Sequence, residues 1–210
     1  KALAPINGTP FLELQIDNWI NQGIKSFIFL LHYEAEQIVD FLKNQEKIRS
    51  NKISFKYTIE KEPLDTGGAI LNAIKEFNIK DDFLATNADT WIENGIEDIC
   101  DTISPSILSI CLEDSSRYGV IKYDKNFKVK SFEEKSLKRK GKGYINAGLM
   151  KLSPNIFVNI NEKKFSIERD LFPDLVEKDL LSAKPVKTYF IDIGVPDDYR
   201  SFCKRTKRLN

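Results

Sequence analysis

Two aspartates carry the first argument. Asp89 stands in "DFLATNADT", just past a short apolar run, and Asp192 stands inside the apolar end of "KTYFIDIGVPDDY". A carboxylate at the end of an apolar run is expensive unless it is hydrogen-bonded, paired or bound to a metal. Alone, Asp89 reads as a turn residue as readily as a ligand, because aspartate bonds its own backbone in turns. Asp192 alone reads as well as a carboxylate accepting from nearby backbone N–H groups. Together, at two strand ends, they suit a hard divalent cation. Mg²⁺ takes oxygen ligands, keeps several waters, and commonly uses one or two carboxylates plus substrate phosphates.

Other segments add chemistry of the same kind. In "EKEPLDTGGAI" (Glu60 to Ile70), Gly67 and Gly68 open a helix after a strand and a proline-containing loop. Paired glycines let backbone N–H groups approach a planar or anionic ligand. A tight turn followed by close helix packing explains them equally. Glu133, Glu134 and Lys135 end a strand; a lysine there can pair with a phosphate and a glutamate can accept from sugar hydroxyls. The plainer reading is a solvated charge cluster on a hairpin. Arg117, Tyr118 and Gly119 precede that hairpin, with Arg117 otherwise a surface residue. "YINAG" (Tyr144 to Gly148) puts Asn146 and small residues mid-strand, where backbone can lie against a ligand or form a bulge. No G-x-G-x-x-G follows a strand and no Walker A loop is present, so the combination points to phosphoryl or nucleotidyl transfer rather than hydride transfer.

These residues need strands and helices to hold them. "TPFLELQIDNWINQG" predicts a helix capped by Thr9, with Pro10 in the first turn, Gly23 closing it, and Leu12, Ile16, Trp19 and Ile20 on one face. "SFIFLLH" is a continuous apolar run, the pattern of a strand covered on both sides. "EAEQIVDFLKNQ" predicts a helix with Ile38, Phe41 and Leu42 inward; "KISFKYTIE" and "DFLATN" predict strands on either side of the "TGGAILNAIKEF" helix. Alternating strands and helices argue for a three-layer α/β/α sandwich with a mostly parallel, Rossmann-like sheet. The second half predicts strands at "SILSICLE" and "GYINAGLMKL" and a hairpin turning at Asp124-Lys125-Asn126. Helices follow at "SPNIF" and "SIERDLFPDLVEKDLL", with Ser166 as N-cap, then a strand at "KTYFIDIG" and a closing helix from "VPDDY". No linker or repeat interrupts residues 1–210, so one domain is expected.

Composition excludes several classes. The 210 residues are 41% hydrophobic and 30% charged, with a net charge of +1, which argues for a globular fold and against a nucleic-acid partner. The basic tail from Cys203 to Asn210 reads as a solvated helix end. No apolar run reaches the roughly 18 residues of a membrane span. Cys100, Cys111 and Cys203 are too few and too scattered for a disulfide framework or a zinc site, so the reduced cytoplasm is expected. His32 is the only histidine and reads as structural or capping.

The segments "KALAPINGTPFLEL", "EKEPLDTGGAI", "NADT", "RYGVI", "FEEK", "YINAGLMKL" and "FIDIGVPDDY" occur in an order that resembles the sugar-phosphate nucleotidyltransferases, the family of NDP-sugar pyrophosphorylases. Within it they are most similar to the bacterial D-glycero-α-D-manno-heptose 1-phosphate guanylyltransferases. The resemblance covers nearly the whole chain, and seven ordered matches are far more specific than any one. It implies the nucleotidyltransferase fold, with the hairpin serving the sugar. It also implies a reaction in which an oxygen of a sugar 1-phosphate attacks the α-phosphorus of a nucleoside triphosphate and pyrophosphate leaves. Such transfer needs alignment and charge neutralisation more than covalent help.

Carried over by motif, Asp89 and Asp192 hold Mg²⁺ between the substrates, and Lys1 contacts the triphosphate or the reacting phosphoryl group. Leu64, Thr66, Gly67, Gly68, Asn87 and Ala88 line the nucleotide. Arg117, Tyr118, Gly119, Glu134, Lys135, Asn146, Ala147 and Gly148 serve the sugar phosphate. The implied partners are the two substrates, with a homo-oligomer left open. The pattern is departed from in three places. Ala2 replaces the proline after the signature lysine, and Ala88 stands where glycine usually precedes the metal aspartate. The family's first strand and G-x-G-T-R loop are expected upstream of Lys1. Ala88 leaves two alternatives beside a guanylyltransferase: another base or sugar (UTP, dTTP or CTP; a hexose 1-phosphate), or a module that binds nucleotide-sugar without turnover.

Overall fold

The computed structural model describes residues 1–45, 53–133, 135–136, 138 and 141–207. The chain packs as two compact units, one of residues 1–22, 82–152 and 175–210, the other of residues 23–81 and 153–174.

The first unit opens with a small hairpin, β1 (Pro5–Ile6) against β2 (Thr9–Pro10), turning through Asn7 and Gly8 at φ 51° and 98°. Two successive positive φ values match the tight hairpin turn that Asn-Gly favours. That hairpin displaces the expected cap. Thr9 pairs with Ile6 in the hairpin, and α1 (Phe11–Asn21) begins with Pro10 at its N-cap and no side-chain cap. Two of the orphan N–H groups of the first turn are met by main chain instead. Phe11 N–H donates to the Ala4 carbonyl at 2.9 Å and Leu12 N–H to the Ala2 carbonyl at 2.8 Å. Gly23 follows the helix at φ 96°, a conformation glycine adopts without steric cost.

In the second unit, β3 (Ser26–Leu31) and β4 (Ser54–Ile59) pair in parallel, Ser26 opposite Ser54 through Leu31 opposite Ile59. β3 is half-buried from Phe27 onward rather than fully covered. α2 (Ala35–Asn44) lies between them in sequence and buries Ala35, Val39 and Leu42. The expected inward residues Ile38 and Phe41 are half-buried, because the helix starts at Ala35 and its narrow apolar stripe runs 35, 39, 42. His32 Nδ1 sits 3.1 Å from the Glu60 carbonyl, in keeping with a structural role. α3 (Asp65–Phe77) carries the glycine pair in its first turn.

The remaining strands of the first unit are β5 (Phe83–Thr86), β6 (Thr90–Ile92), β7 (Ser106–Leu112), β8 (Val120–Tyr123), β9 (Val129–Glu133), β10 (Gly143–Leu152), β11 (Ser182–Val186) and β12 (Phe190–Asp192). Its helices are α4 (Ile96–Cys100) and α6 (Pro196–Thr206), with α5 (Phe172–Glu177) preceding β11. The main sheet runs β11-β7-β10-β8-β9, with β5 also on β10. It is mixed. β11 pairs with β7 in parallel, as β3 does with β4, whereas β5, β7 and β8 all run antiparallel to β10. The antiparallel part arises because the chain returns from β7 through the β8–β9 hairpin instead of a crossover helix. That hairpin turns where expected: Asp124 Oδ1 accepts from Asn126 N at 2.8 Å and Lys128 N at 3.0 Å.

One feature of β10 positions the site. One edge lies along β7. The other is shared, with Ile145 opposite Val120 of β8 and Leu149 to Leu152 opposite Thr86 to Phe83 of β5. Between the two partners, four steps of β10 (Asn146 to Met150) face two of β7 (Ser109 to Ile107), a bulge at which Gly148 takes φ 77°. Ile107, Leu108, Ile145 and Leu152 are all fully buried, so both faces of these strands are covered. Each such side chain contributes about 1.5–3 kcal/mol.

Candidate active site

Asp89 and Asp192 lie on adjoining chain segments. β6 pairs antiparallel with β12, Asp192 opposite Thr90, and Ile193 N–H donates to the Asp89 carbonyl at 3.0 Å. The pair is held from below by a buried cluster of Ile6, Phe11, Ile191, Ile193 and Phe202, with Trp91 packed against it. Phe11, Trp91 and Phe202 meet with centroids 5.1–6.4 Å apart, in tilted and edge-on arrangements that aromatic pairs favour. Because strand side chains alternate, burying Ile191 and Ile193 turns Phe190 and Asp192 to the opposite face. Asp192 Oδ1 accepts from Gly194 N–H at 2.6 Å.

Lys1 reaches the same place from the chain start. Its Nζ lies 3.6 Å from Asp89 Oδ2, with side chains 63% and 36% exposed. An ion pair this open contributes little stability, under about 1 kcal/mol, so the contact matters as placement. Lys1, Ala2, Asn87, Ala88 and Asp89 line an open cavity of about 280 Å³. Asn87 and Ala88 are exposed there. Asn87 N–H donates to the Gly148 carbonyl at 3.2 Å, and Gly148 N–H to Asn146 Oδ1 at 3.0 Å. A Cβ on Gly148 would stand 2.7 Å from Asn87 Nδ2, so the backbone passes close under that amide. Asn146 is half-buried and Ala147 buried.

Arg117 is exposed, as its surface reading expected, and is paired there. Its guanidinium donates to Asp198 Oδ2 at 2.6 Å, and that hydrogen bond holds its pKa above the usual arginine value, aided by the charges of Asp198, Tyr118 and Asp192. Tyr118 packs edge-on to Phe190 at 5.6 Å, and burial pushes its hydroxyl pKa up. Arg117, Tyr118 and Asp192 are therefore electrostatic neighbours. Gly119 is exposed, with space for a Cβ limited by the Glu133 carbonyl at 3.3 Å. Lys135 is exposed, and Glu134 lies outside the described residues.

In the second unit, Gly67 and Gly68 have a packing role that the structure makes explicit. Both N–H groups donate to the Phe165 carbonyl, at 2.9 and 3.2 Å. A Cβ on Gly67 would fall 2.2 Å from the Phe165 ring, and one on Gly68 2.2 Å from the Lys163 carbonyl oxygen. Thr66 Oγ1 donates to Glu168 and accepts from Ile167 N–H, and Leu64 N–H donates to Glu60 Oε2 at 3.0 Å.

Among the described residues, no three His, Cys, Asp or Glu side chains are grouped to hold a metal. A site of two carboxylates completed by substrate oxygens would not form such a group. Two sets of residues escaped the sequence reading. Asp198 was hidden in the "PDDY" acids, which also suit a helix N-terminus. Gln15 and Asn18 of α1, with Gln22 at its C-cap, hold the chain after Asp89: Gln15 Nε2 donates to the Thr90 carbonyl at 2.7 Å, Asn18 Nδ2 to the Ile92 carbonyl at 2.8 Å, and Gln22 Nε2 to the Glu93 carbonyl at 3.1 Å. The available signal was a glutamine at position 15 among the apolar residues of an amphipathic helix.

Known proteins share this architecture. The D-glycero-α-D-manno-heptose 1-phosphate guanylyltransferase of Campylobacter jejuni is 37% identical over 206 residues, 96% of this chain and 88% of that protein. The crystal structure of HddC from Yersinia pseudotuberculosis complexed with GMP-PN superposes with a TM-score of 0.83 at 34% identity, covering 98% of this chain and 89% of that one. The mannose-1-phosphate guanyltransferase of Candida albicans is 30% identical over 210 residues, of which the chain spans 57% of the relative's length. No described helix is long and apolar enough to cross a membrane. The sequence model of the family described as Nucleotidyl transferase matches residues 1–208, and the chain belongs to that family.

Proposed function

We propose that this protein transfers GMP from GTP to D-glycero-α-D-manno-heptose 1-phosphate, releasing pyrophosphate and forming a GDP-heptose for surface glycans. The observation that carries the reading is the β6–β12 pairing, which brings Asp89 and Asp192 onto adjoining segments with Lys1 3.6 Å from Asp89. The choice of base and sugar follows the named activity of the Campylobacter jejuni relative. The span of the family model, residues 1–208, supports reading residues 1–210 as one nucleotidyltransferase domain.

The donor set fits a hard cation, because both side chains are half-buried carboxylates that offer oxygen ligands. Asp89 and Asp192 would hold Mg²⁺, which neutralises phosphate charge and draws the reacting groups into line. Lys1 supplies a further positive charge where negative charge gathers as pyrophosphate departs. Asn87 and Ala88 are assigned to the nucleotide. The family resemblance implies the same role for Leu64, Thr66, Gly67 and Gly68 in the second unit, although the Gly67 and Gly68 N–H groups are bonded to the Phe165 carbonyl. Arg117, Tyr118, Gly119, Lys135, Asn146, Ala147 and Gly148, with Glu134, are assigned to the sugar phosphate. A nucleoside triphosphate as co-substrate places the reaction in the cytoplasm.

Pyrophosphate release by the full-length protein, screened over GTP, UTP, dTTP and CTP with heptose and hexose 1-phosphates, tests this. The expected result is Mg²⁺-dependent turnover that is fastest with GTP and the heptose 1-phosphate. Faster turnover with another pair reassigns base or sugar. Binding of GDP-sugar without turnover on any pair would overturn the catalytic reading.

A further inference from the structure

We infer that Gln15 is a positioning residue for Asp89, acting through the main chain of residues 87–90. The inference rests on the metal assignment above and extends it to a side chain that touches no substrate.

The geometry begins with β6. Its pairing with β12 uses the Asp89 carbonyl, which accepts from Ile193 N–H. Backbone carbonyls alternate along a strand, so those of Thr90 and Ile92 point to the other edge. Among the described residues, no strand pairs there. The partners are side-chain amides on one face of α1, Gln15 to Thr90 and Asn18 to Ile92, continued by Gln22 at the C-cap, which reaches the Glu93 carbonyl and accepts from Ile96 N–H at 3.2 Å. Spacings of three and four residues put the three amides in one row along the helix. They take the place of a neighbouring strand.

Gln15 differs from the other two. It is 1% exposed, and its Nε2 also lies 3.4 Å from the Asn87 carbonyl, so one amide group spans the residues flanking Ala88 and Asp89. Its Oε1 is buried without a hydrogen-bond partner among the described residues. An orphaned buried acceptor is destabilising, and an apolar side chain at this core position would avoid it. What the amide supplies instead is a grip on two carbonyls. The same helix holds Lys1, because Ala4 N–H donates to the Lys1 carbonyl at 2.8 Å while the first turn of α1 donates to Ala2 and Ala4. Helix α1 thus sets both members of the Lys1–Asp89 pair, the first at its N-terminus and the second through Gln15.

The test compares Gln15→Met, which keeps volume and loses both donors, with Asn18→Ala, which releases β6 farther from Asp89. Binding of Mn²⁺ alone, followed by electron paramagnetic resonance on folded full-length protein, needs no turnover. Gln15→Met should bind Mn²⁺ about tenfold more weakly, equivalent to about 1.4 kcal/mol. Asn18→Ala should stay within about twofold of wild type while losing thermal stability, as loss of one hydrogen bond does. Unchanged Mn²⁺ affinity in folded Gln15→Met, or an equal loss in both variants, overturns the inference. Should Gln15→Met not fold, the wild type decides by NMR. The Gln15 side-chain amide protons must be protected from solvent exchange and shift when Mg²⁺ is added; rapid exchange or no shift overturns the inference. Because Mn²⁺ binding is read without substrate, failure of the proposed transfer reaction leaves this outcome legible on its own.

Discussion

The Ile193 amide nitrogen lies 3.0 Å from the Asp89 carbonyl oxygen, joining one residue after Asp192 to Asp89 itself. The two acidic residues are therefore fixed by a main-chain bond, whatever their side chains do. Neutralising either carboxylate should leave that bond and the fold in place. Asp89→Asn and Asp192→Asn should each lower pyrophosphate release by more than about 100-fold, beyond the loss typical of residues that only support metal ligands. Melting temperature should stay near wild type. Near-normal turnover in either variant would falsify the metal assignment for that residue.

Gly148→Ala should be destabilising. At φ 77° an L side chain is strained by about 1–2 kcal/mol, and the new methyl would meet Asn87 Nδ2 at 2.7 Å. Since Asn87 N–H bonds the Gly148 carbonyl, the displacement should pass to the loop bearing Ala88 and Asp89. A combined stability loss of about 2–3 kcal/mol in urea unfolding is expected, with a raised KM. A variant as stable as wild type would contradict the close approach.

For the helix-opening glycines, two magnitudes compete. Alanine is a better helix former than glycine by about 1 kcal/mol. Against that, overpacking costs about 1–3 kcal/mol, and the added Cβ atoms sit at 2.2 Å. Overpacking should win at both positions. Gly68→Ala should lose more stability than Gly67→Ala, because it meets the Lys163 main chain while Gly67 meets a ring that can shift. Chemical denaturation of the two variants checks the order; a stabilised Gly68→Ala would refute it.

Asp124 gives a pH prediction. Backbone N–H bonds from Lys128 and Asn126, with Lys130 nearby, hold its pKa below the ordinary 3.8. A carboxylate with a depressed folded pKa contributes stability that is present above its unfolded pKa and lost as pH falls through the folded one. Wild type should therefore lose urea resistance below about pH 4 more steeply than Asp124→Asn. The difference between the two pH curves isolates this residue, and superimposable curves would exclude it.

Legibility in the sequence followed locality. Helix α6 with Pro196 in its first turn, the Ser166 cap on the turn at Ile167–Leu171, and the β8–β9 hairpin all rest on contacts within a few residues. Thr9 was misleading because its hydrogen-bonding role was taken by Lys1–Ala4 main chain, which no cap rule anticipates. β11 was hidden behind Pro185, a residue a strand tolerates at the end of a sheet, where its missing N–H breaks no ladder. In the site, Asp89 and Asp192 were legible as types at strand ends. Their adjacency was not, since it depends on pairing between segments about 100 positions apart. Gln15 was least legible, because its partners are carbonyls, which carry no side-chain signal.

Strand β10 has a further consequence. Its shared edge offers Ile145 to the strand that follows Arg117–Gly119 and Leu149 to the strand that leads to Asp89. The four steps between them span roughly 13 Å when extended, less where the bulge gathers chain. A single strand is thus the gauge for the separation of the two regions assigned to different substrates. Lengthening it by one residue at 146–148 would not merely loosen a loop. It would change the distance between those regions and turn every following side chain to the opposite face.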